Sequence, residues 1–377
     1  MSASTERVVV VGHGIAGLTS ADALREAGFD GDLIIIGDEP AYSRPALSKA
    51  LLADAADQAS TAHELPPSDH GAEEILGTRA SGLDQARKVV VLTNGKEVAY
   101  DKVVIATGSR ARRLGDGPGE MTLRSLADAQ ALRERVTTAP SIVVVGGGPL
   151  GMEITSGALA RGCRVSVVSQ GPPLAAQLGA HLSRVFTIAA RERGANVVET
   201  AGASIVGRGR VMCADGTEVS ADLVLTAVGD VPNTEWLAGS GVLPAGRGPV
   251  HVDERCLVTP DVAAVGDLAA VPVPGGHRRT PLWNSAIEQA KVAATALLHG
   301  QDAPVLEPRP YFWTEAFGLS LKAVGPMPAS GRPEYVDGGP GGPALMRWRH
   351  ADGPATVVAL DYRIPIPRMR RLAAAAG

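Results

Sequence analysis

Cysteine is nearly absent from the sequence, and its scarcity excludes several kinds of chemistry. The 377 residues include three cysteines, Cys163, Cys213 and Cys256, which are odd in number and far apart. They can form neither a disulfide framework nor a CxxC redox pair, so we expect a reducing compartment. No metal site is predicted.

Long apolar runs are also missing. No uninterrupted apolar stretch approaches the roughly 20 residues of a membrane-spanning helix. The opening "MSASTERVVVVGHG" reaches its first apolar strand within a few residues, which leaves no room for the three regions of a signal peptide. We therefore expect a cytoplasmic protein without a membrane partner.

Charge of one sign is not in excess. The formal net charge is −4, from 36 basic and 40 acidic residues. This balance argues against nucleic acid as the main partner, because phosphate binding usually requires a strongly basic domain. The hydrophobic share of 45% and the length fit a globular protein of two or three domains.

A strand, three glycines and a helix follow one another in "RVVVVGHGIAGLTSADALREAG". The strand Val8–Val11 is wholly apolar, which indicates burial on both faces, as in a parallel sheet. In this pattern Gly12 allows a tight turn, Gly14 lets backbone approach a pyrophosphate, and Gly17 lets the helix pack on the strand. Asp38 ends the next apolar strand, where an acid can bind ribose hydroxyls. The alternative is a glycine turn kept only for packing.

The same pattern recurs in "PSIVVVGGGPLGMEITSGALARGCRVSVVSQ". Strand Ile142–Val145 precedes Gly146, Gly148 and Gly151, and a second strand follows at Val165–Val168. Two such units indicate two dinucleotides in one chain. This is the arrangement of a flavoprotein reductase, with one unit for FAD and one for a nicotinamide cofactor.

Two further apolar strands end in small residues. "YDKVVIATGSRAR" ends its strand in Ala106, Thr107 and Gly108, and "PDVAAVGDLAAV" ends in Gly266 and Asp267. Small residues let backbone pass close to a cofactor. Either segment alone could be an ordinary strand end, but the pair in this order is specific.

With these motifs, the sequence resembles the FAD- and NAD(P)H-dependent ferredoxin reductases of the pyridine nucleotide oxidoreductase superfamily, which serve Rieske-type dioxygenases and haem monooxygenases. The resemblance covers essentially the whole chain. Its most specific motif is "GDEPAYSRPALSK", which looks like the family's stretch between the acid of the second strand and a lysine facing the flavin. Without this context the stretch would be taken for a solvated loop.

The resemblance implies roles for this motif. Asp38 would bind the adenosine ribose, Arg44 would lie near the FAD phosphates and ribose, and Lys49 would reach toward the isoalloxazine. A fixed cation suits that place because reduced flavin is anionic. The alternative is that the lysine and arginine are only solvated.

The resemblance assigns further site residues. The FAD contacts are Gly12, Gly14, Ala16, Gly17, Glu39, Ala80, Ala106, Thr107, Gly108, Arg124, Gly266, Asp267, Trp283 and Trp313, and the nucleotide contacts are Gly146, Gly148, Leu150, Gly151, Ser169 and Gly229. Glu153 matches an acid on the nicotinamide side that can pair with Lys49, although the helix dipole also explains an acid there. The two tryptophans could instead be core residues.

The expected architecture is α/β, with two Rossmann-like domains and a small C-terminal α+β interface domain. The FAD-binding domain is expected at 1–113 and 245–305, the NAD(P)-binding domain at 114–244, and the C-terminal domain at 306–377. A β-rich excursion with an "NG" hairpin turn is expected at "KVVVLTNGKEVAY".

One departure from the family pattern leaves the nucleotide open. Ser169, followed by Gln170, stands where NADH users of the family have Glu or Asp, and Pro173 stands where many have Arg. The cofactors are therefore FAD with NADH or NADPH.

The implied partner is a ferredoxin-type iron–sulfur protein, bound transiently by charge to a monomer or weak homodimer. The candidate docking charges are Arg110, Arg112, Arg113, Arg278, Arg279 and Arg309. Related disulfide reductases and peroxidases use thiols near the motif lysine, and this chain has none before Cys163. Two alternatives stay open: an oxidoreductase or oxidase acting on a small organic substrate, and a redox-inactive flavin-binding protein.

Overall fold

A computed structural model describes residues 6–49, 65, 69–115, 119–351 and 353–374. The other positions of the predicted domain ranges, including the opening Met1 to Thr5, lie outside the described residues. Within these ranges the chain divides into two compact units. The first comprises 1–43, 64–110 and 231–308, and the second comprises 44–63, 111–230 and 309–377.

Seven α-helices lie in the described residues: α1 Ile15–Glu26, α2 Leu126–Thr138, α3 Pro149–Ala160, α4 Ala175–Leu178, α5 Ala180–Glu192, α6 Trp283–His299 and α7 Ile366–Ala374. Short 3-10 helices lie at Arg44–Ala46, Glu235–Leu237 and Gly300–Asp302. Among these segments, none is both long and apolar enough to cross a membrane.

The strands of the first half are β1 Arg7–Val11, β2 Asp32–Gly37, β3 Glu73–Leu76, β4 Ala80–Asp84, β5 Val89–Leu92, β6 Glu97–Ala99, β7 Lys102–Ile105, β8 Ser109–Ala111, β9 Glu120–Met121, β10 Ser141–Val145, β11 Arg164–Gln170, β12 Asn196–Thr200, β13 Ala203–Gly207 and β14 Arg210–Cys213. The remaining strands are β15 Glu218–Ser220, β16 Leu223–Thr226, β17 Asp230–Pro232, β18 Val250–His251, β19 Leu257–Thr259, β20 Val262–Ala264, β21 Ala269–Val273, β22 Gly276–Arg279, β23 Tyr311–Ala316, β24 Leu319–Val324, β25 Glu334–Gly338, β26 Ala344–Trp348 and β27 Thr356–Leu360.

The first unit is built on a six-stranded sheet of order β19-β20-β7-β1-β2-β3. All neighbours are parallel except β19 and β20. The central strand β1 is buried at Val8, Val9, Val10 and Val11, as its apolar sequence predicts. Helices α1 and α6 pack on each other, mostly through small alanines that allow a close approach.

Two small sheets complete the first unit. Strands β4, β5 and β6 form an antiparallel sheet, and β18, β21 and β22 form another three-stranded sheet. The expected hairpin lies between β5 and β6, where Gly95 has a φ of +82° and the amide of Leu92 donates to the carbonyl of Lys96.

The second unit contains a five-stranded parallel sheet of order β12-β11-β10-β16-β9. Helix α2 leads into it with a capping box, in which the Ser125 hydroxyl and the Asp128 carboxylate each bind the other residue's backbone amide. An antiparallel sheet β13-β14-β15 follows β12.

The last part of the second unit is a five-stranded antiparallel sheet of order β23-β24-β27-β26-β25 with α7 packed on it. One core is shared between this sheet and helices α3 and α5, because Met152 and Phe186 lie in the same buried cluster as Leu321 and Trp348. The α/β class with two parallel Rossmann-like sheets and a C-terminal α+β element is therefore confirmed.

Candidate functional site

The first glycine turn joins β1 to α1. Gly12 has a φ of +126°, and a Cβ at this position would lie 2.1 Å from the carbonyl oxygen of Ala106, so only glycine fits. A Cβ at Gly17 would lie 1.9 Å from the carbonyl oxygen of Gly12. These two glycines therefore serve the close packing of the turn, the helix and strand β7.

Gly14 differs from its two neighbours in the motif. It is the N-cap of α1 with ordinary extended backbone. Among the residues that the structure describes, no side chain caps the helix and no heavy atom lies within 4 Å of a Cβ built on Gly14. A side chain at this position would therefore extend into space that the described residues leave open. Such a helix terminus can hold the pyrophosphate of a dinucleotide.

The second unit repeats this geometry. Gly146 has a φ of +119°, and a Cβ on it would lie 2.3 Å from the carbonyl oxygen of Ala227, while a Cβ on Gly151 would lie 1.9 Å from the carbonyl oxygen of Gly146. Gly148 is the N-cap of α3, and in the described part of the chain it has no side-chain cap and no atom within 4 Å of a built Cβ. The chain therefore has two turns that each fit a dinucleotide.

Side chains near the first turn lie at the carboxyl ends of β2 and β7. Asp38 follows β2 and accepts a 2.8 Å hydrogen bond from Nε of Arg79, beside Ala80 at the start of β4. Glu39 accepts from the hydroxyl of Tyr42 at 2.9 Å. Arg79 is a residue that the sequence analysis missed, because its pairing with Asp38 depends on the tertiary fold.

The residues after β7 are held by a second segment of the first unit. The Thr107 hydroxyl donates to the carbonyl of Asn233 at 2.7 Å, and the Asn233 amide donates to the carbonyl of Thr107 at 3.0 Å. The indole of Trp236 also approaches the Thr107 hydroxyl at 3.4 Å. Gly108, with a φ of +63°, accepts from the backbone amide of Asn233. Nothing in the sequence around Asn233 and Trp236 indicated this pairing.

Gly266 and Asp267 lie close to the first turn. A Cβ on Gly266 would lie 3.0 Å from the Cβ of Ala16, and the Gly266 amide donates to the buried Gln289 side chain at 2.7 Å. The Asp267 carboxylate accepts from the Ser109 hydroxyl at 3.1 Å. Trp283, partly buried, is the first residue of α6. The structure thus brings Gly266 and Asp267, which follow β20, to the edge of the sheet where the first turn lies.

Near the second turn, Ser169 is buried at the end of β11, and a Cβ on Gly147 would lie 2.2 Å from its hydroxyl oxygen. Its side chain therefore faces the glycine loop. Leu150 is the second residue of α3, and Gly229 follows β16 with a φ of +99° and open space around it. The carbonyl of Gly229 accepts from the Arg112 amide at 2.9 Å.

Arg44 and Lys49 of the "GDEPAYSRPALSK" motif form contacts within the second unit. The Arg44 guanidinium donates to the carbonyl of Arg124 at 3.0 Å. The Lys49 ammonium lies 3.0 Å from Oε1 of Glu153 and 6.0 Å from the ring centroid of Trp313. The structure therefore brings Lys49, Glu153 and Trp313 together.

The three thiols take no part in these clusters. Burial raises the pKa of Cys163 and Cys213 above the ordinary value and raises the pKa of Cys256 to about 12. All three are buried, and in the described ranges no group of three or more His, Cys, Asp or Glu could hold a metal ion.

The candidate docking arginines differ in their surroundings. Arg110 pairs with Glu235 at 2.6 Å, and the Arg113 guanidinium donates to the carbonyl of Glu120. Arg112 reaches the carbonyl of Asp230, and Nε of Arg279 donates to the carbonyl of Asp267 at 2.5 Å. Exposed side chains are found at Arg110, Arg112, Arg113, Arg278 and Arg309, whereas Arg279 is partly buried.

Comparisons with known proteins agree with this geometry. The sequence profile described as "Pyridine nucleotide-disulphide oxidoreductase" matches residues 6–294. The chain is 34% identical over 364 residues to the biphenyl dioxygenase system ferredoxin–NAD(+) reductase component of Paraburkholderia xenovorans, covering 92% of this chain and 88% of that protein. It is 35% identical over 374 residues to the benzene 1,2-dioxygenase system ferredoxin–NAD(+) reductase subunit of Pseudomonas putida, covering 94% and 89%.

Solved structures give the same result. The crystal structure of Fdr9 superposes with a TM-score of 0.83 at 34% identity and covers 98% of this chain and 95% of that one. The covalent putidaredoxin reductase–putidaredoxin complex superposes with a TM-score of 0.86 at 26% identity and covers 99% and 94%. The resemblance indicated by the motifs is confirmed, and the chain belongs to the pyridine nucleotide-disulphide oxidoreductase family.

Proposed function

We propose that the chain is a FAD-dependent NAD(P)H:ferredoxin oxidoreductase that passes electrons to a ferredoxin-type iron–sulfur protein, which in turn feeds an oxygenase. The observation that carries this proposal is the pair of open, uncapped helix N-termini at Gly14 and Gly148, one in each unit. Two dinucleotide sites with no accessible thiol suit a reductase whose acceptor is another protein.

The two turns take different cofactors in this proposal. FAD binds at Gly12, Gly14 and Gly17, within the predicted domain 1–113 and 245–305. The nicotinamide nucleotide binds at the second turn, within 114–244, and residues 306–377 form the interface domain. FAD, when bound, accepts a hydride from the nicotinamide and releases electrons singly to a metal-centred acceptor.

The side chains of the first unit bind and orient FAD. Asp38 binds the adenosine ribose, with Arg79 fixing the position of its carboxylate. Asp267 accepts from the ribitol, and Trp283 packs beside the flavin. Support comes from the placement of Asp38 after β2 and of Asp267 after β20, at the carboxyl ends of parallel strands, where ligands of such sheets bind. Trp283 is partly buried at the start of α6.

Lys49 supplies the fixed positive charge that stabilises the anionic reduced flavin, and Glu153 orients it. Support comes from the 3.0 Å ion pair and from the low exposure of both side chains, 23% for Lys49 and 7% for Glu153. A cation held in a partly desolvated site interacts more strongly with developing negative charge than a solvated one.

The partner is proposed from the relatives. The two dioxygenase components above are named ferredoxin–NAD(+) reductases, and one structural neighbour is captured with putidaredoxin. A transient contact steered by charge, a monomeric or weakly dimeric state and a cytoplasmic location complete the proposal. Nucleic acid and membrane are not expected as partners.

The proposal is tested with the purified protein. We expect a yellow protein with one FAD per chain, whose absorbance bleaches on anaerobic addition of NADH or NADPH. A ferredoxin coupled to a haem acceptor should then be reduced faster than dioxygen. A flavin that neither nucleotide bleaches indicates a redox-inactive binding protein. Bleaching without faster transfer to ferredoxin than to dioxygen indicates an enzyme acting on a small organic substrate.

A further inference from the structure

The Glu153 carboxylate on α3 is contacted by two other segments of the second unit. Its Oε2 accepts a hydrogen bond from the Ser48 hydroxyl at 2.5 Å, and its Oε1 accepts from the Thr314 hydroxyl at 2.7 Å. The Lys49 ammonium lies 3.0 Å from the same Oε1. Ser48 and Lys49 follow the Arg44–Ala46 turn, Glu153 lies on α3, and Thr314 lies on β23.

Both hydroxyl groups are enclosed. Ser48 is 6% exposed, Thr314 is 1% exposed and Glu153 is 7% exposed. A buried carboxylate that lacks donors pays a desolvation cost comparable to that of a lost hydrogen bond or more. Two neutral hydroxyls satisfy it without adding charge, so they do not compete electrostatically with Lys49.

The two hydroxyls also determine the orientation of the carboxylate. A single donor to one oxygen leaves the group free to rotate about its terminal torsion, which is broad for glutamate. Donors on both oxygens fix the carboxylate plane, and with it the position of Oε1. The Lys49 ammonium is then held by Oε1, by the carbonyl of Pro45 at 3.4 Å and by the face of Trp313.

We propose that Thr314 and Ser48 are positioning residues, whose hydroxyls hold Glu153 so that Glu153 holds Lys49 for reduction of the flavin by NAD(P)H. This inference rests on the proposed function. It assigns part of the site to β23, in the C-terminal sheet, and to the residue next to the motif lysine. A positioning effect reaches the reaction through Lys49 alone, which distinguishes it from a purely structural role.

The chain contains a matched control. The Ser156 hydroxyl accepts a 2.7 Å hydrogen bond from the amide of Phe317, so it also joins α3 to the end of the β23 hairpin. It makes no hydrogen bond to Glu153 in the described residues. Ser156→Ala therefore weakens the same contact between elements and leaves the carboxylate donors in place.

The experiment compares Thr314→Val, Thr314→Ser, Ser48→Ala and Ser156→Ala in the FAD-loaded protein. We expect Thr314→Val to slow the limiting rate of flavin bleaching at saturating nucleotide about tenfold, with FAD content and the apparent KM nearly unchanged. Ser48→Ala should act in the same direction. Thr314→Ser keeps a hydroxyl and should restore most of the rate. Ser156→Ala should lower the thermal midpoint without slowing bleaching.

A second measurement tests the route of the effect. In a Lys49→Ala background, adding Thr314→Val should cause no further slowing, because the hydroxyl acts only through Lys49. The thermal midpoint of the FAD-free protein should instead fall further in the double variant than in either single variant, because Glu153 has then lost two of its three partners. This second readout does not depend on turnover.

The outcomes separate the inference from the proposed function. If the unaltered protein is bleached by neither NADH nor NADPH, the proposed function fails. If it is bleached and Thr314→Val and Ser48→Ala are both bleached at the unaltered rate, the positioning role is wrong. The same conclusion follows if Ser156→Ala slows bleaching as much as Thr314→Val does. If Thr314→Val does not fold, Ser48→Ala and Thr314→Ser decide the matter.

Discussion

The Lys49 ammonium lies 3.0 Å from Oε1 of Glu153, joining the loop after the Arg44–Ala46 turn to the first half of α3. The two residues are 104 positions apart in the sequence. Removing the ammonium leaves Glu153 with only its hydroxyl donors and removes the charge proposed to stabilise reduced flavin.

We therefore predict that Lys49→Ala retains FAD but is reduced by NAD(P)H about tenfold more slowly or worse, as measured by stopped-flow bleaching. Lys49→Arg keeps the charge with a different shape and should lose less. Unchanged reduction kinetics in Lys49→Ala would remove the assigned role. Loss of FAD in that variant would show that the lysine serves cofactor binding instead.

Open space at Gly14 and Gly148 gives a second prediction. Both residues have backbone that alanine adopts freely, and a built Cβ meets no protein atom within 4 Å. An added methyl group should therefore leave folding nearly unchanged and occupy the space proposed for a pyrophosphate. We expect Gly14→Ala to lower FAD content and Gly148→Ala to keep FAD but raise the KM for NAD(P)H.

The matched control is Gly12→Ala, which places a Cβ 2.1 Å from the Ala106 carbonyl oxygen at a φ of +126°. It should reduce the thermal stability of the FAD-free protein, whereas Gly14→Ala should not. If Gly14→Ala and Gly148→Ala bind both cofactors normally, the open turns are not the dinucleotide sites.

Much of this site was predictable because the signals are local. Gly17 and Gly151 are required by contacts within their own turns, and the apolar strands predicted the parallel sheets around them. Gly12 and Gly146 stand in the same local motifs, although the carbonyl oxygens that they meet belong to Ala106 and Ala227. The pairing of Lys49 with Glu153 was expected only through the family resemblance. Its occurrence requires α3 and residues 44–49 of the motif to lie in the same unit.

Other parts could not be predicted from the sequence. Ser48 and Thr314 are common residue types, and their roles arise because the fold places them beside an acid 105 and 161 positions away. Gln289 and Asn233 likewise bind backbone groups of distant loops. No local pattern encodes such contacts, since they depend on how separate elements pack.

The nucleotide preference is expected to be weak. Ser169 brings no acid to repel a 2′-phosphate, and Pro173 brings no guanidinium to bind one, so discrimination between NADH and NADPH should be below about tenfold, or roughly 1.4 kcal/mol. Ser169→Glu should shift the ratio of kcat/KM values toward NADH, because its side chain faces the glycine loop.

Gln170→Glu is the control for this prediction. It adds the same charge one residue along β11, but adjacent strand residues point to opposite faces, and the Gln170 side chain donates to the carbonyl of Ala201. In Gln170→Glu the ratio of the kcat/KM values for NADH and NADPH should change little. A strong preference in the unaltered protein would show that contacts outside this turn decide the nucleotide.

The thiols should be inert in the native protein. Burial raises the pKa of Cys256 to about 12 and raises the pKa of Cys163 and Cys213, so at pH 8 the reactive thiolate is scarce in the fold. In the unfolded chain, with thiol pKa values of about 8.5, it is abundant. A disulfide reagent should therefore label no thiol quickly in the native protein and three after denaturation.

The raised pKa of Cys256 also makes the free energy of unfolding depend on pH. Between pH of about 8.5 and about 12 the unfolded chain has lost the Cys256 proton that the native protein retains, so the free energy of unfolding should fall as the pH rises through this range. Below that range this contribution is constant. A thiol that labels rapidly, and whose alkylation abolishes reduction of the flavin by NAD(P)H, would indicate a thiol-based reaction.

The last prediction concerns docking of an acidic ferredoxin. Arg278 is exposed on β22, and Arg110 is also exposed but pairs with Glu235. Arg279 is partly buried, and its Nε donates to the Asp267 carbonyl. We expect Arg278→Glu to slow NAD(P)H-driven ferredoxin reduction several-fold at low salt and to leave reduction of ferricyanide, a small acceptor, nearly unchanged. Lys96→Glu, an equal charge change on the exposed β5–β6 turn, should have little effect on either.

Ferredoxin reduction by the unaltered protein should weaken as the Debye length falls from about 10 Å to about 3 Å, since screening removes steering by charge. A rate independent of salt, or equal losses in the two variants, would show that Arg278 is not part of the docking surface.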